Sequence, residues 1–184
     1  MNNRTPSLGT LVEAVAFAAN KHRDQRRKDV AASPYINHPI ALANVLANEG
    51  EVTNLTALCA AVLHDTVEDT NTTEQELAER FGNDIASVVM EVTDDKSLDK
   101  ARRKELQIEH APHMSHAARL VKLADKISNL RDILGSPPAD WSPERKKDYF
   151  EWANKVVDGL RGTHPGLEAV FDGVYAQGSQ LEYS

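Results

Sequence analysis

The sequence predicts an all-α fold, a single bundle of about eight to ten helices. Three observations carry this. Apolar residues recur at helical spacing nearly throughout the 184 residues. No segment sustains the apolar–polar alternation of a half-buried strand. Aromatic residues make up only 5% of the chain, while alanine and leucine are frequent, a composition that suits helices.

The elements follow in order. Thr10 and Glu13 have capping-box spacing and precede Leu11, Ala14, Val15 and Ala18, so a first helix is expected to run to about Arg26. A polar loop follows from Asp29 to Asn37. Pro39 suits the first turn of a second helix, where its missing N–H is not needed, and Gly50 would end that helix. A third helix is expected from about Thr53 to Asp69, carrying Leu55, Leu58, Val62 and Leu63. Thr73 and Glu76 form another capping box, ahead of helices at about 74–80 and 83–92. Asp94 to Ser97 reads as a turn. A helix at roughly 98–110 stops before Pro112, and a long helix spans about 116–134. Gly135 to Asp140 is a Pro-rich connection. Ser142 and Pro143 read as an N-cap and first helical residue of a helix reaching about Leu160. Beyond Pro165 a last, weaker helix that frays is expected. No linker is long enough to divide the chain, so one domain is expected over 1–184, with a core at about 8–165 and a helical tail at about 166–184.

Composition narrows the function classes. The net charge is -7, with 28 acidic against 21 basic residues, which disfavours nucleic-acid binding because a basic face is needed to replace counterions. Cys59 is the one cysteine, so no intrachain disulfide framework can form and a reducing, cytoplasmic setting is expected. Its apolar neighbours make Cys59 a buried small hydrophobe rather than a nucleophile. No apolar run approaches the roughly 18 residues of a membrane span, and the start of the chain lacks a signal-peptide core. A soluble protein without membrane or nucleic-acid partners is expected. Oligomeric state leaves no trace in the sequence.

Four segments offer chemistry. In the first, His64, Asp65, Glu68 and Asp69 cluster at the end of an apolar helix, where His64 and Glu68 are four apart and Asp65 lies three and four from the other two. Polar groups there cost desolvation unless compensated, and a borderline divalent cation suits imidazole with carboxylate. An acidic surface helix end is about equally compatible with this cluster alone. In the second, Asp125 and Asn129 share a helix face, with Lys122, Lys126 and Arg131 around them. Asp125 could be a ligand and Asn129 a substrate contact, yet a solvated polar face balanced by those cations is the plainer reading. In the third, His38 precedes Pro39 and is held in a defined direction, as a ligand or simply as a helix cap. The fourth, His22 to Lys28, is a dense basic cluster in an acidic chain, suited to binding phosphate through arginine forks and a lysine charge, or to a solvated helix end whose cations the helix dipole favours. His110, His113 and His116 are evenly spaced, but Pro112 breaks any helical ladder and exposed histidines are expected. There is no HExxH, glycine-rich phosphate loop or GxSxG.

Taken together, these segments resemble the HD-domain phosphohydrolases, and within them the (p)ppGpp hydrolases of the RelA/SpoT group. The likeness is greatest to small single-domain alarmone hydrolases, the metazoan SpoT homologues among them. The matching stretches are His22 to Lys28, Tyr35 to Pro39, His64 to Thr70, Glu91 to Lys96, Lys122 to Leu130, and Tyr149 to Trp152. The resemblance implies that His38, His64, Asp65 and Asp125 hold a metal, usually manganese. It implies that Glu68 and Asp69 flank the attacking water. Arg27 and Lys28 would contact substrate phosphates, Asn129 would face the nucleotide, and Lys96 and Tyr149 would belong to the substrate pocket. The tail after Pro165 finds no match. The chain is too short for the synthetase and regulatory regions of long relatives, so a hydrolase alone is implied.

The implied reaction is removal of the 3′-pyrophosphate of ppGpp or pppGpp, giving GDP or GTP and pyrophosphate. A metal would lower the pKa of bound water and stabilise developing oxyanion charge, while cations position the phosphates. Two rivals are kept: a phosphatase for NADPH or another phosphorylated nucleotide, and a non-catalytic nucleotide sensor. Between Glu68 and Asp69 as the water-activating group, the sequence does not choose.

Overall fold

Helix α1 (Leu8–Lys21) begins at Ser7 rather than at the expected Thr10/Glu13 cap. The Thr10 N–H donates to Ser7 Oγ at 3.2 Å and the Ser7 N–H to Thr10 Oγ1 at 3.1 Å, so Thr10 completes the box instead of opening it. The computed structural model describes residues 5–178. α1 ends at Lys21, short of the expected Arg26, because the chain turns at His22. The His22 side chain is buried and its Nδ1 meets Gln25 Oε1 at 2.6 Å, which draws this polar stretch inward. Residues 22–36 form a loop pinned by isolated bridges between Arg26 and Pro34 and between Asp29 and Pro138.

α2 (Asn37–Asn44) carries Pro39 in its first turn, as expected, and passes into a wide π turn, Val45–Glu49, closed at Gly50. The expected helix from Thr53 to Asp69 is two helices, α3 (Leu55–Leu63) and α4 (Thr66–Asp69), broken at His64 and Asp65. Side chains compete for the carbonyls that an unbroken helix would use. His64 Nδ1 lies 2.8 Å from Ala61 O, and Thr66 Oγ1 donates to Leu63 O at 2.7 Å.

α5 (Glu74–Phe81) is capped by Thr73, and α6 (Asn83–Val92) follows after Gly82, whose φ of 95° suits glycine. The turn at 94–97 leads to α7 (Lys100–His110), capped by Asp99. A 3₁₀ turn, Ala111–His113, precedes the long α8 (His116–Gly135). α9 (Pro143–Asp158) has Ser142 as N-cap, and α10 (Pro165–Ala176) is the last α-helix among the described residues; the end of the expected tail, 179–184, lies outside them.

The predicted all-α class is the observed one: no strand occurs among the described residues, and a single hydrophobic core joins the helices. α3 sits at its centre, with every residue from Ala57 to Leu63 buried, packed among α1, α2, α6 and α8. α8 in turn packs on α2, α3, α6, α9 and α10. The last helix is not a weak tail. Leu167 and Phe171 are fully buried, and α10 packs on α8 and on the π turn after α2. Lys122 and Lys126 are also not on a solvated face: they are 5% and 2% exposed. Lys122 Nζ donates to Val92 O at 3.0 Å, and Lys126 is taken up by the site described next. Arg131 does lie at the surface, where it forms a two-bonded pair with Glu49 at 2.6 and 2.8 Å. Cys59 is buried, and burial pushes its thiol up to about 11. Among the described residues no helix is long and apolar enough to cross a membrane.

Candidate metal centre

The break between α3 and α4 lets neighbouring side chains converge that an unbroken helix would point apart. Ligand atoms of His38, His64 and Asp65 all lie within 4.8 Å of one another. Asp125, from α8, joins through His38, with Oδ1 3.3 Å from His38 Nε2. Three groups from α2 and the α3–α4 break thus converge, with Asp125 of α8 beside His38.

The donor set fits a divalent cation. His64 Nδ1 faces the Ala61 carbonyl, which fixes it as the N–H donor and leaves the Nε2 lone pair 2.9 Å from Asp65 Oδ2. Two acceptors so placed require a proton or a cation between them. Burial disfavours the imidazolium, but Asp65 outweighs it and the His64 pKa is pushed up to about 8. Burial also opposes the Asp65 carboxylate, yet His64, His38 and the Tyr35 hydroxyl hold it well below the usual range. Asp125 is likewise held low against its burial, chiefly by Lys126 and His38. Two imidazoles with two ionised carboxylates suit a borderline first-row metal.

Beside this cluster lie the acidic residues of α4. Glu68 Oε2 accepts the Asp94 backbone N–H at 3.2 Å, and its Oε1 is 3.8 Å from Arg103 Nη1. Burial, then the charges of Asp65 and Asp94, push Glu68 up to about 7. Asp69 is engaged at both oxygens, by Gln25 Nε2 at 2.8 Å and by Lys96 Nζ.

A cavity of about 680 Å³ opens on the cluster. Arg27, Lys28, Asn129 and Tyr149 line it, as do Asp69 and the metal-cluster residue His38. Arg27 pairs with Asp132 and lies over the Tyr35 ring at 5.8 Å. Asn129 Nδ2 donates to Asp125 Oδ1 at 2.7 Å. Burial raises the Tyr149 hydroxyl well above its ordinary pKa, so it stays protonated as a donor. Lys96 is half exposed on Asp69 and is not part of the cavity wall. His110, His113 and His116 are exposed, as expected.

Several neighbours of these residues carry no signal of their contacts in the sequence. Tyr35 donates to Asp65, Gln25 fixes Asp69, and Asp132 holds Arg27. Trp141 adds an aromatic wall to the cavity. Asp132 does continue the α8 face of Asp125 and Asn129 at helical spacing.

Known proteins resemble the chain in sequence and in fold. A family model described as HD domain matches residues 14–152. A Danio rerio protein named guanosine-3′,5′-bis(diphosphate) 3′-pyrophosphohydrolase MESH1 is 57% identical over 162 residues, covering 88% of this chain and 90% of that one. The Homo sapiens protein of the same name is 53% identical over 167 residues, covering 91% and 93%. A solved structure of a metazoan SpoT orthologue, described as hydrolysing ppGpp, superposes with a TM-score of 0.90 at 48% identity, covering 95% of this chain and 97% of that one. The chain belongs to the HD-domain family, among the relatives of RelA and SpoT that include the metazoan SpoT homologues.

Proposed function

We propose that the protein hydrolyses the 3′-pyrophosphate of ppGpp and pppGpp, with Mn²⁺ as its metal. The carrying observation is that His38 belongs at once to the metal-ligand cluster and to the wall of a cavity bearing Arg27 and Lys28. Cations for a multiply anionic substrate and ligands for a divalent ion therefore share one space. The relatives named for this activity match across nine-tenths of their length, which supports the same assignment.

His38, His64, Asp65 and Asp125 would hold the metal. When bound, it lowers the pKa of water and stabilises charge on the phosphate oxygens. Arg27 and Lys28 bind the phosphates and neutralise them. Asn129 and Tyr149 face the nucleotide, and Lys96 adds positive charge at Asp69. Glu68 takes the proton of the attacking water, because a carboxyl with a pKa near neutrality suits a general base. Asp69, with both oxygens fixed by donors, orients that water. A new bond forms between the water oxygen and the proximal phosphorus, and the bond to O3′ breaks. O3′ leaves with a proton as part of GDP or GTP, and the other product is pyrophosphate.

The test is product analysis after the Mn²⁺-loaded protein meets a panel of phosphorylated nucleotides. Pyrophosphate and GDP from ppGpp are expected. Folded, Mn²⁺-loaded protein that leaves ppGpp intact would refute the assignment.

A further inference from the structure

Gln107 lies on α7, an element to which neither the resemblance nor the cavity assigns a role. Its amide sits between two groups that dictate its orientation. Lys126 Nζ, which can only donate, is 2.9 Å from Gln107 Oε1. Asp94 Oδ2, which can only accept, is 2.7 Å from Gln107 Nε2. Reversing the amide would set N–H against ammonium and oxygen against carboxylate, so the partners fix which end faces which.

Each partner reaches the site in one further step. Lys126 Nζ donates to Asp125 Oδ2 at 3.0 Å. The Asp94 backbone N–H donates to Glu68 Oε2 at 3.2 Å. Lys126 is buried, and its charge is answered by Asp125, by Gln107 and by the face of Trp152, 4.3 Å from Nζ. Removing the Gln107 oxygen would leave a buried ammonium short of an acceptor, and Lys126 would have to move relative to Asp125. Removing the Gln107 N–H would free Asp94, and with it the backbone N–H that holds Glu68.

We infer that Gln107 is a positioning residue, a strut between the metal-ligand carboxylate Asp125 and the water-activating carboxylate Glu68. The inference rests on the function proposed above. It makes α7 a working part of the site although none of its residues touches the reacting atoms in this scheme.

The experiment compares Gln107→Glu, Gln107→Met, Asp94→Asn and the double variant Gln107→Glu/Asp94→Asn. Readouts are kcat and KM for pyrophosphate release from ppGpp, and Mn²⁺ affinity by electron paramagnetic resonance, with melting curves as a check on folding. Gln107→Glu keeps an oxygen for Lys126 but opposes Asp94 with like charge. Its kcat should fall about tenfold or more, with KM within about twofold and Mn²⁺ affinity near the parent. Asp94→Asn alone retains an acceptor for Gln107 but removes a charge beside Glu68, so it is the reference for the double variant. Adding Asp94→Asn to Gln107→Glu restores a donor opposite the new carboxylate, and kcat should return to within about threefold of Asp94→Asn alone. Gln107→Met loses both bonds without adding charge, and should lower both kcat and Mn²⁺ affinity about tenfold. Parent-like kcat and Mn²⁺ affinity in Gln107→Met would overturn the inference, as would a double variant no better than Gln107→Glu. Should the parent release no pyrophosphate, the proposed function fails, while the Mn²⁺ affinity of Gln107→Met still decides the strut.

Discussion

His38 Nε2 lies 3.3 Å from Asp125 Oδ1, so α2 and α8 meet imidazole to carboxylate in the interior. Asp125→Ala would strip His38 and Lys126 of their shared carboxylate. Breaking a buried charged cluster from one side typically costs about 3 kcal/mol, because the remaining charges stay buried. Urea denaturation should show a loss of that order, and pyrophosphate release should drop at least about 100-fold with the missing ligand.

Glu68 illustrates a conflict between function and stability. Its pKa is raised from 4.5 to about 7, so the folded protein binds a proton that the unfolded chain has lost between these values. Stability from this group is therefore full below about pH 4.5 and is lost as pH rises through 7. Glu68→Gln removes the buried charge. In metal-free protein at pH 8 it should be more stable than the parent by roughly 1–3 kcal/mol, and the gap should close near pH 4. The same variant should release almost no pyrophosphate. Melting curves across pH, with a parallel assay, decide both halves.

Metal binding should be visible without turnover. An ion that binds the folded chain alone raises stability by about 2.7 kcal/mol at 100 times its dissociation constant. Added Mn²⁺ should raise the melting temperature of the parent by several degrees, and a chelator should reverse the rise and stop pyrophosphate release. His64→Ala should show neither effect. A parent melting temperature indifferent to Mn²⁺ would count against the centre.

Arg27 and Lys28 should act mainly on substrate capture. Arg27→Ala and Lys28→Ala are each expected to raise KM for ppGpp about tenfold with a smaller change in kcat, and the KM of the parent should climb with salt. In a mixture of equal ppGpp and NADPH, ppGpp should be consumed first. Preferential dephosphorylation of NADPH would move the assignment to a related nucleotide phosphatase.

Gly50 reports on α10. A Cβ placed there would meet Leu167 side-chain carbons at 2.9–3.0 Å. Gly50→Ala should therefore cost about 1–3 kcal/mol by overpacking, while kcat per folded molecule stays near the parent. Denaturation and activity measured on one preparation separate the two.

Helix spans could be read from sequence wherever apolar periodicity met a cap or a proline, as at Ser142 and Pro143. The break at His64 and Asp65 could not, since apolar spacing runs on to Val67 and the interruption comes from side chains competing for carbonyls. Lys122 and Lys126 looked solvated because the groups that receive them, Val92 O, Gln107 and Trp152, come from distant parts of the chain. His22 looked like part of a basic surface for the same reason, although its ring packs on Tyr35 at 4.9 Å. His64, Asp65, Glu68 and Asp69 stand out as one dense motif and do lie near one another. The contacts of Gln25, Tyr35 and Asp132 could not be read, because each acts on a partner from another segment.

The scattering of the ligand cluster over α2, the α3–α4 break and α8 also sets an order of events. A nascent chain that ends just past the α3–α4 break already carries His38, His64 and Asp65; Asp125 arrives later, and the bracing contact of α10 on α8 later still. The ion would thus be captured late in assembly, when fit rather than the strong intrinsic affinity of competing metals governs what is retained.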